Sequence, residues 1–124
     1  MNVVDSSGWL EYFTNGPNAK HFASPVRDTA NLVVPTVCIY EALKVTLRES
    51  SEENAARVFS IMQKGLVVDF TSQIAEQTSR ISLDLHLPLA DSAILATARA
   101  YNATLWTQDA HFSAISGVKY FSKR

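Results

Sequence analysis

Short apolar, β-branched runs alternate with longer stretches of helical periodicity along the whole chain. "NVVD" (2–5) is an apolar run halted by "DSSG", and "WLEYF" then has a helical pattern that "NGP" (15–17) ends. "NLVVP" (31–35) predicts a second buried strand, and Thr36 is the expected N-cap of a helix running from Val37 to about "RESS". A further helix is predicted over "EENAARVFSIMQK" (52–64), stopping at Gly65, a residue type that tolerates a left-handed C-cap. "LVVDF" (66–70) reads as a third strand, after which Thr71 should cap the helix "SQIAEQTSRISLDL". Pro88 opens another helix, in the first-turn position it favours, ending near Asn102. "TLWT" (104–107) and "VKYF" (118–121) supply strands four and five.

Strand and helix alternate throughout, which predicts an α/β fold. A central, mainly parallel sheet of four to five strands should lie between two helical layers, a three-layer α/β/α sandwich. The chain has no repeat, linker or low-complexity tract, and its 124 residues form one expected domain, 1–124. A 47% apolar share with 19% charged residues excludes a disordered or fibrous chain. The one cysteine, Cys38, lies in an apolar stretch and reads as a core side chain in a reducing compartment. No apolar run approaches the ~18 to 20 residues of a membrane span, and no basic segment precedes an apolar one at the N-terminus. A cytoplasmic protein with no membrane partner is expected.

The predicted topology locates the acids. Parallel strands joined by right-handed crossovers end on one edge, and ligands bind outside those carboxyl ends. Asp5 closes the first strand and Asp109 follows the fourth by two residues. Glu41 lies about one turn into the helix after the second strand. The helix from Pro88 must deliver the chain to the opposite edge, so its start, with Asp91, lies at the carboxyl edge too. Singly, each acid has a structural alternative: a turn or cap for Asp5, a helix-dipole partner for Asp91, an ion pair with Lys44 for Glu41, a turn cap for Asp109. Together on one edge, the four are expected to converge on one pocket.

Four neighbouring carboxylates repel, so protons or a cation must neutralise them. All-oxygen ligation suits Mg2+ or Mn2+. His21, His86 and His111 lack the paired spacing of a zinc site; His111, two residues from Asp109, either approaches the pocket or takes the solvent-facing or helix-end role expected of it. With no Gly-rich phosphate loop, such a site points to phosphodiester hydrolysis, the metal polarising a phosphoryl oxygen and activating water. The formal net charge is -1, yet outside the four acids eight Asp plus Glu face 11 Lys plus Arg. The remaining surface is therefore mildly basic. Lys44 and Arg48 follow Glu41 at i+3 and i+7 and are candidate contacts for an RNA phosphate backbone.

At "VVDSSGWLEYF", "PTVCIYEAL", "LPLADSAILATA" and "LWTQDAHF" followed by "GV", the chain resembles the PIN-domain ribonuclease toxins of the VapC type, over essentially its whole length. The resemblance implies a metal-dependent endoribonuclease, usually a homodimer, inhibited by a cognate VapB-type antitoxin. It implies that Asp5, Glu41, Asp91 and Asp109 hold Mg2+ or Mn2+ and activate water, with Ser6 and Thr107 as supporting hydroxyls. Ser92 stands where many members have alanine. Cleavage of tRNA or rRNA leaving a 5'-phosphate and a 3'-hydroxyl is also implied, as is a dimer contact through the helices at 37–64. Trp9, Tyr12, Phe13 and Phe22 are expected either to line an antitoxin groove or to pack in the core.

Two other functions fit parts of the sequence. A phospho-acceptor receiver domain would use Asp69, Thr107 and Lys119, though it would have adjacent acids after the first strand and a proline after its lysine. It would also leave Glu41, Asp91 and Asp109 without a shared purpose. A catalytically inactive PIN-fold binding module would keep the fold and drop the chemistry.

Overall fold

The computed structural model describes residues 1–123. Strands β1 (Asn2–Val4), β2 (Leu32–Pro35), β3 (Leu66–Val68), β4 (Thr104–Thr107) and β5 (Val118–Tyr120) form one sheet in the order β3-β2-β1-β4-β5. Every pairing is parallel. Helices α1 (Ser6–Phe13), α2 (Ala19–Arg27), α3 (Thr36–Glu49), α4 (Glu52–Met62), α5 (Ser72–Leu85) and α6 (Leu89–Ala100) fill the connections. Successive strand residues point to opposite faces, and Val3, Val4, Val33 and Val34 are all fully buried. Helices must therefore cover the sheet on both sides, as the β-branched runs predict. No described helix is long and apolar enough to cross a membrane.

The chain winds outward from β1 through β2 to β3, then crosses back to place β4 on the other flank of β1. The winding thus reverses between β1 and β4, which opens a crevice at their carboxyl ends. A receiver domain has the order 2-1-3-4-5. Here β3 and β5 are the two outermost strands, so Asp69 and Lys119 stand four strand spacings apart, roughly 19 Å. The receiver constellation cannot assemble on this sheet.

Local details differ from expectation at four places. Residues 19–27, which carry no strand or helix signal because Pro25 interrupts them, form α2. Thr36 is the first helical residue of α3 and Pro35 takes the cap position, so no side chain caps that helix. Pro88 likewise sits at the cap of α6, one residue before its first turn. Gly65 is not a left-handed cap; α4 ends at Met62 with Gln63 as C-cap. A Cβ at position 65 would lie 2.9 Å from the Leu32 carbonyl oxygen, so close backbone approach demands the glycine. Thr71 caps α5 as expected, its Oγ1 accepting from the Ile74 N–H at 3.2 Å.

Candidate active site

Asp5 leaves β1 at the reversal crevice and becomes the N-cap of α1. Its Oδ1 accepts from the Gly8 N–H at 2.9 Å and the Ser7 hydroxyl at 2.7 Å. Its Oδ2 accepts from the Thr107 hydroxyl at 2.6 Å. A carboxylate offers about four lone-pair sites, so three donors leave one acceptor position open. The side chain is only 3% exposed. Burial pushes its pKa up from 3.8 to about 6, against the pull of the Thr107, Ser7 and Gly8 hydrogen bonds and with a further push from the charge of Asp109.

Thr107 ties this acid to the next. While donating to Asp5, its Oγ1 accepts from the backbone N–H of Asp109 at 2.9 Å. Asp109 then caps the short 3-10 turn Ala110–Phe112, its Oδ1 accepting from the His111 N–H at 2.9 Å. Phe112 is fully buried and pins the turn to the core. The His111 ring folds back so that Nδ1 lies 2.9 Å from Asp91 Oδ2 and 3.5 Å from Asp109 Oδ1. Asp91 is in the first turn of α6. Its pKa is raised by burial, partly offset by the His111 hydrogen bond. The His111 pKa is raised by its hydrogen bond to Asp91 and by the charge of Asp109.

Glu41 is half-buried in the second turn of α3 and accepts a 2.5 Å hydrogen bond from the Ser6 hydroxyl. Cys38, one turn earlier, is fully buried and donates to the Val4 carbonyl at 3.6 Å. Burial pushes its thiol pKa up, with smaller contributions from the charges of Asp5 and Glu41. Those two acids therefore both lie near the Cys38 thiol, and Ser6, the residue after Asp5, is bonded to Glu41. Lys44 makes no ion pair with Glu41; its ammonium lies 5.7 Å from the centre of the Tyr40 ring. Arg48 is exposed and pairs with Glu49 at 3.2 Å.

Asp91, Asp109 and His111 each present a ligand atom within 4.8 Å of the other two. Asp5 and Glu41 stand outside that group, joined to it through Thr107 in the first case and linked to Ser6 in the second. His111 is solvent-facing as expected, with its side chain 58% exposed, and its ring nitrogen also joins the acid cluster. The spacing Asp109-Ala110-His111 was its only signal, since two residues on a tight turn can face the same way. Ser7 was also missed, though it contacts both Asp5 and the Gln108 N–H. Asp69 is exposed beyond the edge strand β3, its carbonyl accepting from Thr71. Ser92 is buried and donates to the Leu87 carbonyl, a local role at the start of α6.

A divalent cation fits this donor set. Two carboxylates and an imidazole are already within the span of a shared ion, and a buried carboxyl whose ionisation is disfavoured by desolvation stands beside them with an acceptor site open.

Of the four aromatic residues weighed as groove lining, Trp9 and Phe22 are fully buried in the core. Tyr12 and Phe13 instead line a cleft of about 500 Å³ with Asn15, Lys20, Arg27 and Arg57, between α1, α2 and α4. Arg27 lies over the Tyr12 ring, 5.9 Å from its centre.

The family model described as PIN domain matches residues 3–118. No curated protein sequence matches the chain. Among solved structures, a toxin–antitoxin complex from Klebsiella pneumoniae superposes with a TM-score of 0.82 at 19% identity, covering 96% of each chain. The Mycobacterium tuberculosis sarcin–ricin loop cleaving toxin VapC20 gives 0.78 at 15% identity, over 94% of this chain and 95% of that one. DNA-bound VapBC from Salmonella typhimurium gives 0.75 at 17% identity, over 98% of each. At these identities the likeness is one of fold.

Proposed function

This chain belongs to the PIN domain family, and from that premise we propose that it is a metal-dependent endoribonuclease, the VapC-type toxin of a toxin–antitoxin pair. The observation that carries the reading is the meeting of Asp91 and Asp109 within bridging distance beside the buried Asp5, at the crevice where the sheet reverses its winding.

Asp5, Glu41, Asp91 and Asp109 would hold Mg2+ or Mn2+, which supplies charge neutralisation of the phosphoryl group and activation of the attacking water. Thr107 and Ser7 fix the Asp5 carboxylate, and Ser6 fixes Glu41. Held this way, the acids need no reorganisation when the phosphodiester arrives. Lys44 and Arg48, exposed on α3, would neutralise phosphates of an RNA strand leading to the crevice. The solved relatives support the class of substrate, since one is a sarcin–ricin loop cleaving toxin; tRNA or rRNA is the target we assign.

For the partner, the VapBC complexes among the similar structures support a VapB-type antitoxin. The cleft holding Tyr12, Phe13, Arg27 and Arg57 is the seat we assign to it, combining apolar rings with two guanidinium groups. A homodimer is part of the same reading. Tyr40, Phe70, Leu83 and Leu89 are all exposed around two adjoining hollows, an apolar strip suited to a second copy. Of the span 37–64, Val37 and Tyr40 contribute to that strip. The expected site of action is the cytoplasm.

Brief expression followed by mapping of RNA 5' ends tests the nuclease reading. Discrete new 5'-phosphate ends are expected from the native chain and none from Asp91→Asn or Asp5→Ala, with both variants folded by circular dichroism. Variants as toxic as the parent would reject catalysis and leave an inactive binding module. Co-expression with the neighbouring open reading frame tests the partner: failure to recover a complex would count against an antitoxin.

A further inference from the structure

Resting on the metal reading above, we infer that His111 is a nitrogen ligand of the divalent ion, so that this site is a mixed N/O centre that binds Mn2+ in preference to Mg2+. The four acids alone would make an all-oxygen cage, with no ligand role for His111.

The His111 ring is held in place from both ends of its turn. Asp109 caps its own turn through the His111 backbone N–H, the Asp109 N–H is held by Thr107, and Phe112 is anchored in the core. Both ends of the turn are therefore fixed, and position 111 is delivered to the same place each time the chain folds. From there Nδ1 lies 2.9 Å from Asp91 Oδ2 and 3.5 Å from Asp109 Oδ1. Neighbouring ligands on one six-coordinate ion, with bonds of about 2.1 Å, lie about 3 Å apart. The two distances from the ring nitrogen thus match that spacing, and all three donor atoms lie within 4.8 Å of one another. A plain surface ion pair would need only one of these carboxylates.

The consequence for ion choice follows from ligand hardness. Mg2+ takes oxygen ligands and gives up water reluctantly. Imidazole nitrogen suits first-row transition ions, and Mn2+ accepts it alongside carboxylates. Adding one nitrogen to an otherwise oxygen set therefore favours Mn2+ over Mg2+ without excluding Mg2+. Because the His111 ring is more than half exposed, its removal leaves the core untouched.

The test uses the purified chain and Mn2+ as its own probe. Pulsed electron paramagnetic resonance of bound Mn2+ should show coupling to a histidine nitrogen that changes on 15N-histidine labelling and is lost in His111→Ala. Calorimetric titration should show Mn2+ affinity falling by about tenfold in that variant while Mg2+ affinity changes by less than about threefold. Nitrogen-free Mn2+ in the native chain, or equal Mn2+ affinity in His111→Ala, overturns the inference while leaving the oxygen-ligated site standing. Absence of Mn2+ binding by the native chain sinks the metal reading, and this inference falls with it. A thermal melt of His111→Ala matching the parent shows that a lost signal is not lost folding.

Discussion

The Thr107 hydroxyl donates a 2.6 Å hydrogen bond to Oδ2 of Asp5, joining the ends of two neighbouring strands whose residues are 102 positions apart. The same oxygen accepts from the Asp109 N–H. One hydroxyl therefore sets the spacing of two acids, and its conformation is fixed because it is fully buried.

Thr107→Val keeps the shape and removes both bonds. A buried carboxylate that loses a donor costs about 1–3 kcal/mol, so urea denaturation should show a loss of that size and RNA cleavage should fall at least tenfold. Thr107→Ser restores the hydroxyl and should recover most of both. Equal activity in Thr107→Val and the parent would show that the bridge does not position the acids.

Asp5 gives the metal-free protein a pH dependence of defined sign. Its pKa is raised from 3.8 to about 6, so the folded state binds this proton more tightly than the unfolded chain. The penalty for ionising it is absent below 3.8, grows through the interval and is complete above about 6. Stability from this group should fall by on the order of 3 kcal/mol between pH 4 and pH 7. The raised pKa of His111 has the same sign but a higher window, its contribution being present below 6.5 and lost as pH rises above it. Denaturation of the metal-free chain across that range is the measurement. Asp5→Asn should flatten most of the slope, and added Mn2+ should oppose it at neutral pH.

Gly8 connects the core to the site. A Cβ there would lie 2.7 Å from Val4 Cγ1 and 2.8 Å from the Phe22 ring, while the Gly8 N–H holds Asp5 Oδ1. Gly8→Ala should destabilise the protein by about 1–3 kcal/mol through overpacking, outweighing the gain in helix propensity. A thermal midpoint at or above that of the parent would contradict the close packing.

The cleft between α1, α2 and α4 is lined by none of the four acids, which allows binding and cleavage to be separated. Arg57→Glu should weaken capture of the co-expressed antitoxin by at least tenfold and leave RNA cleavage by the free toxin unchanged. Loss of cleavage together with binding would place the cleft in the RNA path instead.

The positions of all five strands, and of Asp5, Asp91, Thr107 and Asp109 near their carboxyl edge, were legible in the sequence. These follow from local rules: side-chain period distinguishes strand from helix, and a parallel crossover must return the chain to the same starting edge. Helix α2 was not legible, because Pro25 and the polar start of "AKHFASPVR" mask a helix that is stabilised by burying Phe22 and Val26 against the sheet. Gly65 misled for a related reason: its need is for contact with Leu32, not for a left-handed backbone.

By itself, then, the amino-acid order determined a parallel α/β sandwich and which edge would carry its acids, since periodicity, caps and breakers act within a few residues. Tertiary packing alone decided the strand order that separates Asp69 from Lys119, the burial of Trp9 and Phe22 beside the half-exposed Tyr12, and the return of the His111 ring onto Asp91. Those outcomes depend on how distant segments meet, and no short window of sequence holds the distance between them.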